Sequence, residues 1–236
     1  MKTQELSVAD WLLANCCEWF NGARITDLSD FNIDYSQNTI DGRYILVKTR
    51  DEYLPYTFRS FSSFTIFGNN LKSFKNFPTR YIGATKPLIR IHECDNLDFL
   101  YFPTDIENLC LRLSGMDDIT ISDVFKNKDL RLSTISFAKC NNKNIIDLST
   151  WDDINVVNAT ISPTTRLKNL SHVLDIPHTK MVTFMIDNSN DSFYTEAPIK
   201  RLNPIIHEFR NRKNNASEYK MDFVLTLIAN DFEDEI

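Results

Sequence analysis

The feature of this sequence that most constrains its fold is a short strand-like segment that recurs along the chain. In the stretch "FTIFGNNLKSFKNFP", apolar Phe64 and Ile66 stand at alternate positions before a polar corner at Asn69, and apolar Leu71 follows that corner. Such alternation places both apolar side chains on one face of a strand. Similar segments begin at Tyr44, Phe64, Ile89, Leu111, Ile135, Val157 and Val182. Their spacings of 20, 25, 22, 24, 22 and 25 residues predict a stack of structural repeats instead of a closed globule.

The pattern of each segment, L-x-L-x-x-N/C, and the spacing between segments are typical of leucine-rich repeats, whose units span roughly 20–29 residues. One such unit cannot bury its apolar face without neighbouring units. We expect Asn69 to hydrogen-bond the adjacent turn, and Cys94 and Cys140 to fill the same corner as small, weakly polar residues. The sequence therefore predicts an α/β repeat fold, a single leucine-rich-repeat-like solenoid with a parallel β-sheet on one face. Its irregular repeats are predicted over residues 30–195.

The amino-terminal residues 7–22 have the pattern of a capping helix, which would cover the apolar face of the first repeat. Ser7 followed three residues later by Asp10 is typical of a helix N-cap. Four apolar positions recur there at helical spacing: Val8, Leu12, Cys16 and Trp19. On a helix the vicinal Cys16 and Cys17 point about 100° apart, which favours a packing role over a redox pair.

The carboxyl-terminal residues 203–236 carry a second capping pattern. A helix is predicted directly after Pro204, with Ile205, Ile206 and Phe209 on one face. A second amphipathic helix is predicted over residues 218–231, with apolar positions at Met221, Val224, Leu225 and Ile228. We therefore expect one domain, residues 1–236, with helical caps at both ends.

Composition and charge exclude several classes of protein. The net charge of −6 gives no global attraction to nucleic acid or to anionic membranes. No apolar stretch approaches the roughly eighteen residues of a membrane span. Glu5 and Asp10 make the amino terminus unlike a signal peptide, and the five cysteines form no CxxC pair. These features predict a cytoplasmic protein with reduced thiols, without a membrane partner.

The sequence contains no recognisable catalytic constellation. The four histidines are scattered, and no HExxH, GxSxG, P-loop or Gly-rich dinucleotide turn is present among only five glycines. The sequence therefore predicts no catalytic residue, no metal ligand and no cofactor. One alternative stays open, because His92 with Cys94 or Cys110 is a candidate pair for thiolate chemistry.

The overall layout resembles the divergent leucine-rich-repeat-like proteins of tailed bacteriophages. The resemblance is carried by "WLLANCCEW" leading into "FNIDYSQNTIDGRYILV", by "FGNNLKSFKNFPTRY" and by "MDFVLTLIANDFEDE". The chain departs from the regular repeat in using Phe and Ile for Leu and in losing the corner Asn after Asn69. The resemblance implies a phage-encoded protein of the host cell cytoplasm, with a binding surface and no catalytic residues.

Strand alternation predicts which side chains face outward from the sheet. These positions are Ile45 and Val47, Thr65 and Phe67, Arg90 and His92, Arg112 and Ser114, Ser136 and Ala138, Asn158 and Thr160, and Thr183 and Met185. We predict that Phe67, Arg90, His92, Cys110 and Arg112, here called the predicted patch, bind a protein partner. Arginine and aromatic side chains are enriched in interface hot spots.

The sequence thus predicts a noncatalytic protein–protein interaction module that binds or inhibits a host protein, such as a defence component, through the concave face of its sheet. Two alternatives stay open. One is a small thiol-dependent enzyme. The other is a nucleic-acid binder that uses Arg90, Arg112 and Lys86, although the acidic net charge disfavours nucleic acid as a partner.

Overall fold

The computed structural model describes residues 6–103, 105–115, 131–138, 146–147, 149, 155–161, 167–175, 181–187, 192–215 and 222–228. The α-helices are α1 (Val8–Asn15) and α2 (Ser192–Asn215). The first strands are β1 (Cys16–Cys17), β2 (Phe31–Asp34), β3 (Thr39–Gly42), β4 (Tyr44–Lys48), β5 (Thr57–Phe61), β6 (Ser63–Phe67), β7 (Arg80–Tyr81) and β8 (Leu88–His92). The later strands are β9 (Leu109–Ser114), β10 (Arg131–Ala138), β11 (Ile146–Asp147), β12 (Asn155–Ile161), β13 (Leu167–Lys168), β14 (Met181–Asp187) and β15 (Asp222–Ile228).

The described strands form one long sheet with shorter sheets beside it. The order in the main sheet is β1-β4-β6-β8-β9-β10-β12-β14-β15. Every neighbouring pair is parallel except β1 with β4. Between several of the main-sheet strands the chain passes through short strands, which pair as β2-β3-β5-β7 and as β11-β13, and between β14 and β15 it passes through α2. The predicted solenoid with a parallel sheet is therefore confirmed as a repeating β-solenoid.

The backbone pairing confirms the central repeat registers. Phe64 pairs with Ile89, Ile89 with Leu111, and Leu111 with Ile135. Ile135 pairs with Ala159 and not with the predicted Val157. That repeat is therefore displaced by two residues, a shift that preserves the face of every side chain because the strand period is two.

The first repeat was predicted one residue out of register. Ile45, not Tyr44, pairs with Phe64. A slip of one residue exchanges the two faces of a strand. The structure accordingly buries Ile45 and Val47 completely, leaves Tyr44 exposed, and corrects the prediction that Ile45 and Val47 face outward.

The core lies behind the main sheet and is built from rows of stacked apolar side chains. One row contains Ile45, Phe64, Ile89, Leu111 and Ile135, all of them fully buried. Complete burial of each such side chain contributes about 1.5–3 kcal/mol. Behind this row the ring of Phe64 lies 5.4 Å from that of Phe58 and 5.3 Å from that of Phe77, measured between ring centroids. Packed phenylalanine rings thus fill this part of the core.

The corner after the strand is stabilised by different asparagines from the one predicted. Asn69 is exposed, whereas the amide of Asn70 donates to the backbone carbonyl of Arg50 at 3.0 Å. In the next turn the amide of Asn96 donates to the carbonyl of Asn69 at 2.9 Å. Side-chain amides therefore join consecutive turns, but from the residues just beyond the predicted corner.

The corner residue Cys94 is buried, as predicted for a structural cysteine. Its thiol donates to the carbonyl of His92 at 3.1 Å. Burial, above all other causes, raises the pKa of the Cys94 thiol to about 12. The second predicted corner cysteine, Cys140, lies outside the described residues.

The amino-terminal capping helix is shorter than predicted. The backbone N–H of Asp10 donates to the Ser7 hydroxyl at 3.2 Å, which confirms the N-cap. Helix α1 then ends at Asn15, and Cys16 and Cys17 form strand β1, antiparallel to β4. The strand is favoured because it pairs backbone groups at the otherwise open edge of β4. Both thiols are buried, and they point to opposite faces of a strand and not around a helix.

The carboxyl-terminal prediction is partly wrong. The helix expected after Pro204 begins earlier, at Ser192, and ends at Asn215. The second helix, predicted over residues 218–231, is not formed, because Asp222–Ile228 is strand β15, parallel to β14. The run DFVLTLI fits either period, since a short apolar run does not by itself distinguish a helix from a buried strand.

No helix in the described parts of the chain is long and apolar enough to cross a membrane.

Candidate interaction face

The outer face of strands β6, β8 and β9 carries the predicted patch. Backbone pairing aligns its residues in three rows across these strands. The rows are Ser63, Leu88 and Cys110; Thr65, Arg90 and Arg112; and Phe67, His92 and Ser114. The alternate residues of the same strands face the core and are fully buried, which fixes the direction of the outer face.

Phe67 and His92 form an aromatic pair at one side of the outer face. Their rings are stacked with centroids 4.3 Å apart and planes inclined by 13°. The ammonium of Lys48 lies 5.6 Å from the Phe67 ring centroid. Burial, followed by the positive charge of Arg90, lowers the pKa of His92 to about 4. The imidazole is therefore neutral at neutral pH, and the only charge described beside the Phe67 ring is the Lys48 ammonium.

Arg90 and Arg112 are neighbours in the central row. Burial, followed by the charge of Arg112, lowers the pKa of Arg90 below its ordinary value. The buried Nε of Arg90 has no hydrogen-bond partner. No ion pair joins either guanidinium to a carboxylate within the described residues. Two neighbouring cations without a counter-charge are costly for the folded chain and attractive to an anionic ligand.

Trp19 reaches the outer face from the amino-terminal segment. Its ring lies 5.8 Å from that of Tyr44 on β4, and the Arg90 guanidinium on β8 lies 5.2 Å from the ring centroid. The indole therefore spans β6, which lies between β4 and β8. This position explains why Ser63 and Thr65, on the outer side of β6, are only 5% and 2% exposed.

The hydroxyl groups of Ser63 and Thr65 have no hydrogen-bond partner. Most buried polar groups in folded proteins are paired, so these hydroxyls are exceptions beneath the Trp19 ring. The sequence prediction missed Trp19, because it was assigned to the inward stripe of a longer capping helix. The sequence signal that could have identified it is the adjacent aromatic pair Trp19–Phe20 shortly after the two cysteines. In the structure Phe20 is 86% exposed.

Cys110 belongs to the outer face but not to a thiol–imidazole pair. It pairs in register with Leu88, whereas His92 pairs with Ser114. Four residues of displacement along parallel strands correspond to about 13 Å. This separation exceeds hydrogen-bond reach. Cys110 thus shares the outer face with His92, as expected, but the candidate pair is not formed. Cys94 faces inward with its thiol bonded to a backbone carbonyl.

Lys86, the third cation of the nucleic-acid alternative, keeps its charge but makes a hydrogen bond within the chain. The ammonium of Lys86 donates to the hydroxyl of Ser133 at 2.7 Å, so it is engaged within the chain.

No group of three His, Cys, Asp or Glu side chains that could hold a metal ion occurs in the described residues.

A separate cleft of about 930 Å³ lies between the amino-terminal segment and the edge of the first repeats. It contains Trp19 and Tyr44 but none of the predicted patch. Its charged groups have both signs, and Asp41 in its wall is paired with Arg59, whose hydrogen bonds lower the pKa of the carboxyl. This mixture selects no particular class of ligand.

Comparison with known proteins gives no match to a protein-family model, a curated protein or a solved structure.

Proposed function

We propose that this protein is a noncatalytic interaction module whose outer sheet face binds a protein partner. The observation that carries this proposal is the juxtaposition of Arg90 and Arg112, without a described counter-charge, beside Trp19 and the Phe67–His92 stack. Guanidinium and aromatic groups supply large contact areas and directional polar contacts, and they dominate interface hot spots. The inner face of the same strands is occupied by the core, so only the outer face is available.

In biological terms, we propose that the chain is a phage-encoded, divergent leucine-rich-repeat-like protein. It would bind or inhibit a host protein in the host cytoplasm. A defence component is the most concrete candidate partner. This part rests on the resemblance of the three quoted stretches to such phage proteins, and it is supported by the repeating strands with a parallel sheet. Fold alone does not specify a partner.

The test is affinity capture of the tagged protein from bacterial lysate, read by mass spectrometry. The wild type is compared with an Arg90→Ala/Arg112→Ala variant and with Arg80→Ala, which removes an exposed arginine from β7 in the separate four-stranded sheet, at the wall of the cleft. We expect one host protein to be retained by the wild type and by Arg80→Ala and to be lost by the double variant. Thermal unfolding of all three proteins excludes loss of fold as the cause.

Two outcomes would contradict the proposal. In the first, the wild type retains no host protein above background. In the second, the double variant retains the same protein as the wild type while remaining folded. Turnover abolished by alkylation would instead favour the thiol-dependent enzyme, with Cys110 as the residue to replace first.

A further inference from the structure

We propose that Arg90 and Arg112 form a carboxylate-recognition site for an acidic, extended segment of the protein partner. This inference rests on the proposed binding function of the outer face and specifies the chemistry of the partner. The site comprises the two guanidiniums, the Trp19 ring beside that of Arg90, and the stack of Phe67 with the neutral His92 on the same face of the sheet.

The spacing of the two arginines suits a shared carboxylate. They are direct neighbours on parallel strands, whose backbones lie about 4.8 Å apart. Each guanidinium presents a planar fork that matches a carboxylate, and two forks at this spacing can grip both oxygens of one group. A bound carboxylate also neutralises the repulsion between the cations, which the chain itself leaves uncompensated within its described part.

The surroundings of the pair increase the strength of such a contact. Arg90 is partly buried against Trp19, and the two hydroxyls beneath that ring are almost completely shielded from solvent. Charge–charge attraction is stronger where water is excluded. Arg112, by contrast, is exposed and free to meet an incoming group. The site therefore combines an accessible guanidinium with a preorganised one.

The second feature of the segment follows from the neighbouring row. The Phe67–His92 stack lies two residues further along the strands than Arg90, about 7 Å away. Phe67 is partly exposed and its stacked neighbour His92 is uncharged, so this row offers an aromatic contact beside the Lys48 ammonium. An extended segment with an acidic residue next to an aromatic or aliphatic residue fits both rows.

A protein segment suits this face better than a nucleic acid. The tracking of a phosphate backbone requires a run of cations, whereas the predicted patch has two cations in a single row, and exposed Glu93 follows His92. The net charge of −6 further repels a long polyanion. One or two carboxylates require only the two arginines.

The experiment pans a random decapeptide phage-display library against the immobilised full chain. Parallel pannings use Arg112→Gln, which removes the exposed charge, and Arg80→Gln as the matched control. We expect the wild type and Arg80→Gln to enrich peptides with Asp or Glu beside an apolar residue, and Arg112→Gln to lose that enrichment. The best peptide is then resynthesised with a fluorescent label.

Fluorescence anisotropy of the labelled peptide measures the strength and specificity of binding. We expect the dissociation constant to rise at least tenfold for Arg112→Gln and less for Arg112→Lys, which keeps the charge but loses the fork. Replacement of the acidic residues of the peptide by Gln and Asn should produce a similar loss. A labelled twenty-residue oligo-dT serves as the nucleic-acid arm and is expected not to bind.

The outcomes separate this inference from the proposed function. Selected peptides without acidic residues, or no selected peptides, overturn the carboxylate site, while lysate capture that depends on Arg90 and Arg112 still supports a protein-binding face. Oligo-dT binding that is lost in Arg112→Gln assigns the face to nucleic acid and overturns both proposals. Equal peptide affinity for wild type and Arg112→Gln would show that the peptide binds to another surface.

Discussion

The two faces of the main sheet are built from the same strands but differ in almost every physical property. Inner residues such as Phe64, Ile89 and Leu111 are apolar, repeat in register and are fully buried. Outer residues one position further along, Thr65, Arg90 and Arg112, differ in size, charge and exposure. The inner side chains stack on one another in the core, whereas the outer face retains polar groups without a hydrogen-bond partner.

This difference shows how a solenoid separates stability from recognition. Strand alternation assigns every second residue to the core and leaves the next one available. Substitutions of inner residues are therefore expected to change the free energy of unfolding, and substitutions of outer residues to change binding. The predictions below test this division, beginning with the largest expected effect.

The largest effect is expected for Phe64→Ala on the inner face. Phe64 is fully buried and contacts the rings of Phe58 and Phe77, so truncation leaves a cavity where three rings meet. We expect the free energy of unfolding to fall by about 3–5 kcal/mol. Urea denaturation followed by circular dichroism measures it. Phe67→Ala on the outer face is the matched control, and an equal loss there would break the division between the faces.

The second prediction concerns the pH dependence that His92 imposes on stability. Its pKa is about 4 in the folded protein, below the ordinary value of 6.5, because the ring is buried and Arg90 is near. As the pH falls from about 6.5 to about 4, the unfolded chain takes up a proton that the folded chain does not. The folded state should therefore lose roughly 2–3 kcal/mol over this interval.

A His92→Phe variant isolates this contribution, because phenylalanine retains a ring to stack on Phe67 but cannot be protonated. Denaturant unfolding at pH 7 and at pH 4 gives the difference in the free energy of unfolding for each protein. We expect the wild type to lose more stability than the variant between the two pH values. Identical losses would show that the imidazole is readily protonated in the folded state, and hence that the outer face is wetter than the structure implies.

The registers that the sequence predicted correctly are those with a clear contrast between the two faces. At Ile89 and Leu111 each inner residue is followed by an arginine, so the phase of the strand is unambiguous. Around Tyr44 the run YILV is apolar at every position, and no polar residue marks the outer face. The amino-terminal segment covers that strand, and Leu46, on its outer side, is only 2% exposed. Burial on both faces removed the alternation on which the prediction depended.

The strands near both chain ends and the position of Trp19 were not predicted, for a related reason. Periodicity within "MDFVLTLIAN" allows either a helix or a strand, and pairing with the open edge of β14 decides for the strand. Likewise, the pairing of Cys16 and Cys17 with β4 ends α1 and redirects Trp19 over the outer face. These outcomes depend on partners distant in sequence, which local patterns do not reveal. The five residues of the predicted patch, by contrast, lie on one face of the sheet, because strand alternation and register alone determine which side each of them occupies.

The third prediction compares the thiols of the two faces. Cys94 is buried against the core, and burial raises its pKa to about 12, so little thiolate is present at neutral pH. Cys110 is partly exposed on the outer face. Because the thiolate is the reactive form, we expect iodoacetamide to modify Cys110 at least about tenfold faster than Cys94. Peptide mapping by mass spectrometry measures both rates, with denatured protein as the reference. Comparable rates in the folded protein would mean that the turn containing Cys94 opens readily.

The smallest effect on stability is expected for Arg112→Gln, the variant with the largest expected effect on binding. Arg112 is exposed and makes no ion pair with a described carboxylate, so its removal costs the fold no counter-charge. It also relieves the repulsion that, after burial, lowers the pKa of Arg90. We expect the free energy of unfolding to change by less than about 0.5 kcal/mol, with a slight gain at low salt, where charge repulsion is least screened. Denaturant unfolding at 20 mM and 500 mM sodium chloride tests this. A large loss of stability would mean that the guanidinium stabilises the sheet. Its charge would then serve the fold and would not indicate a binding site for a partner.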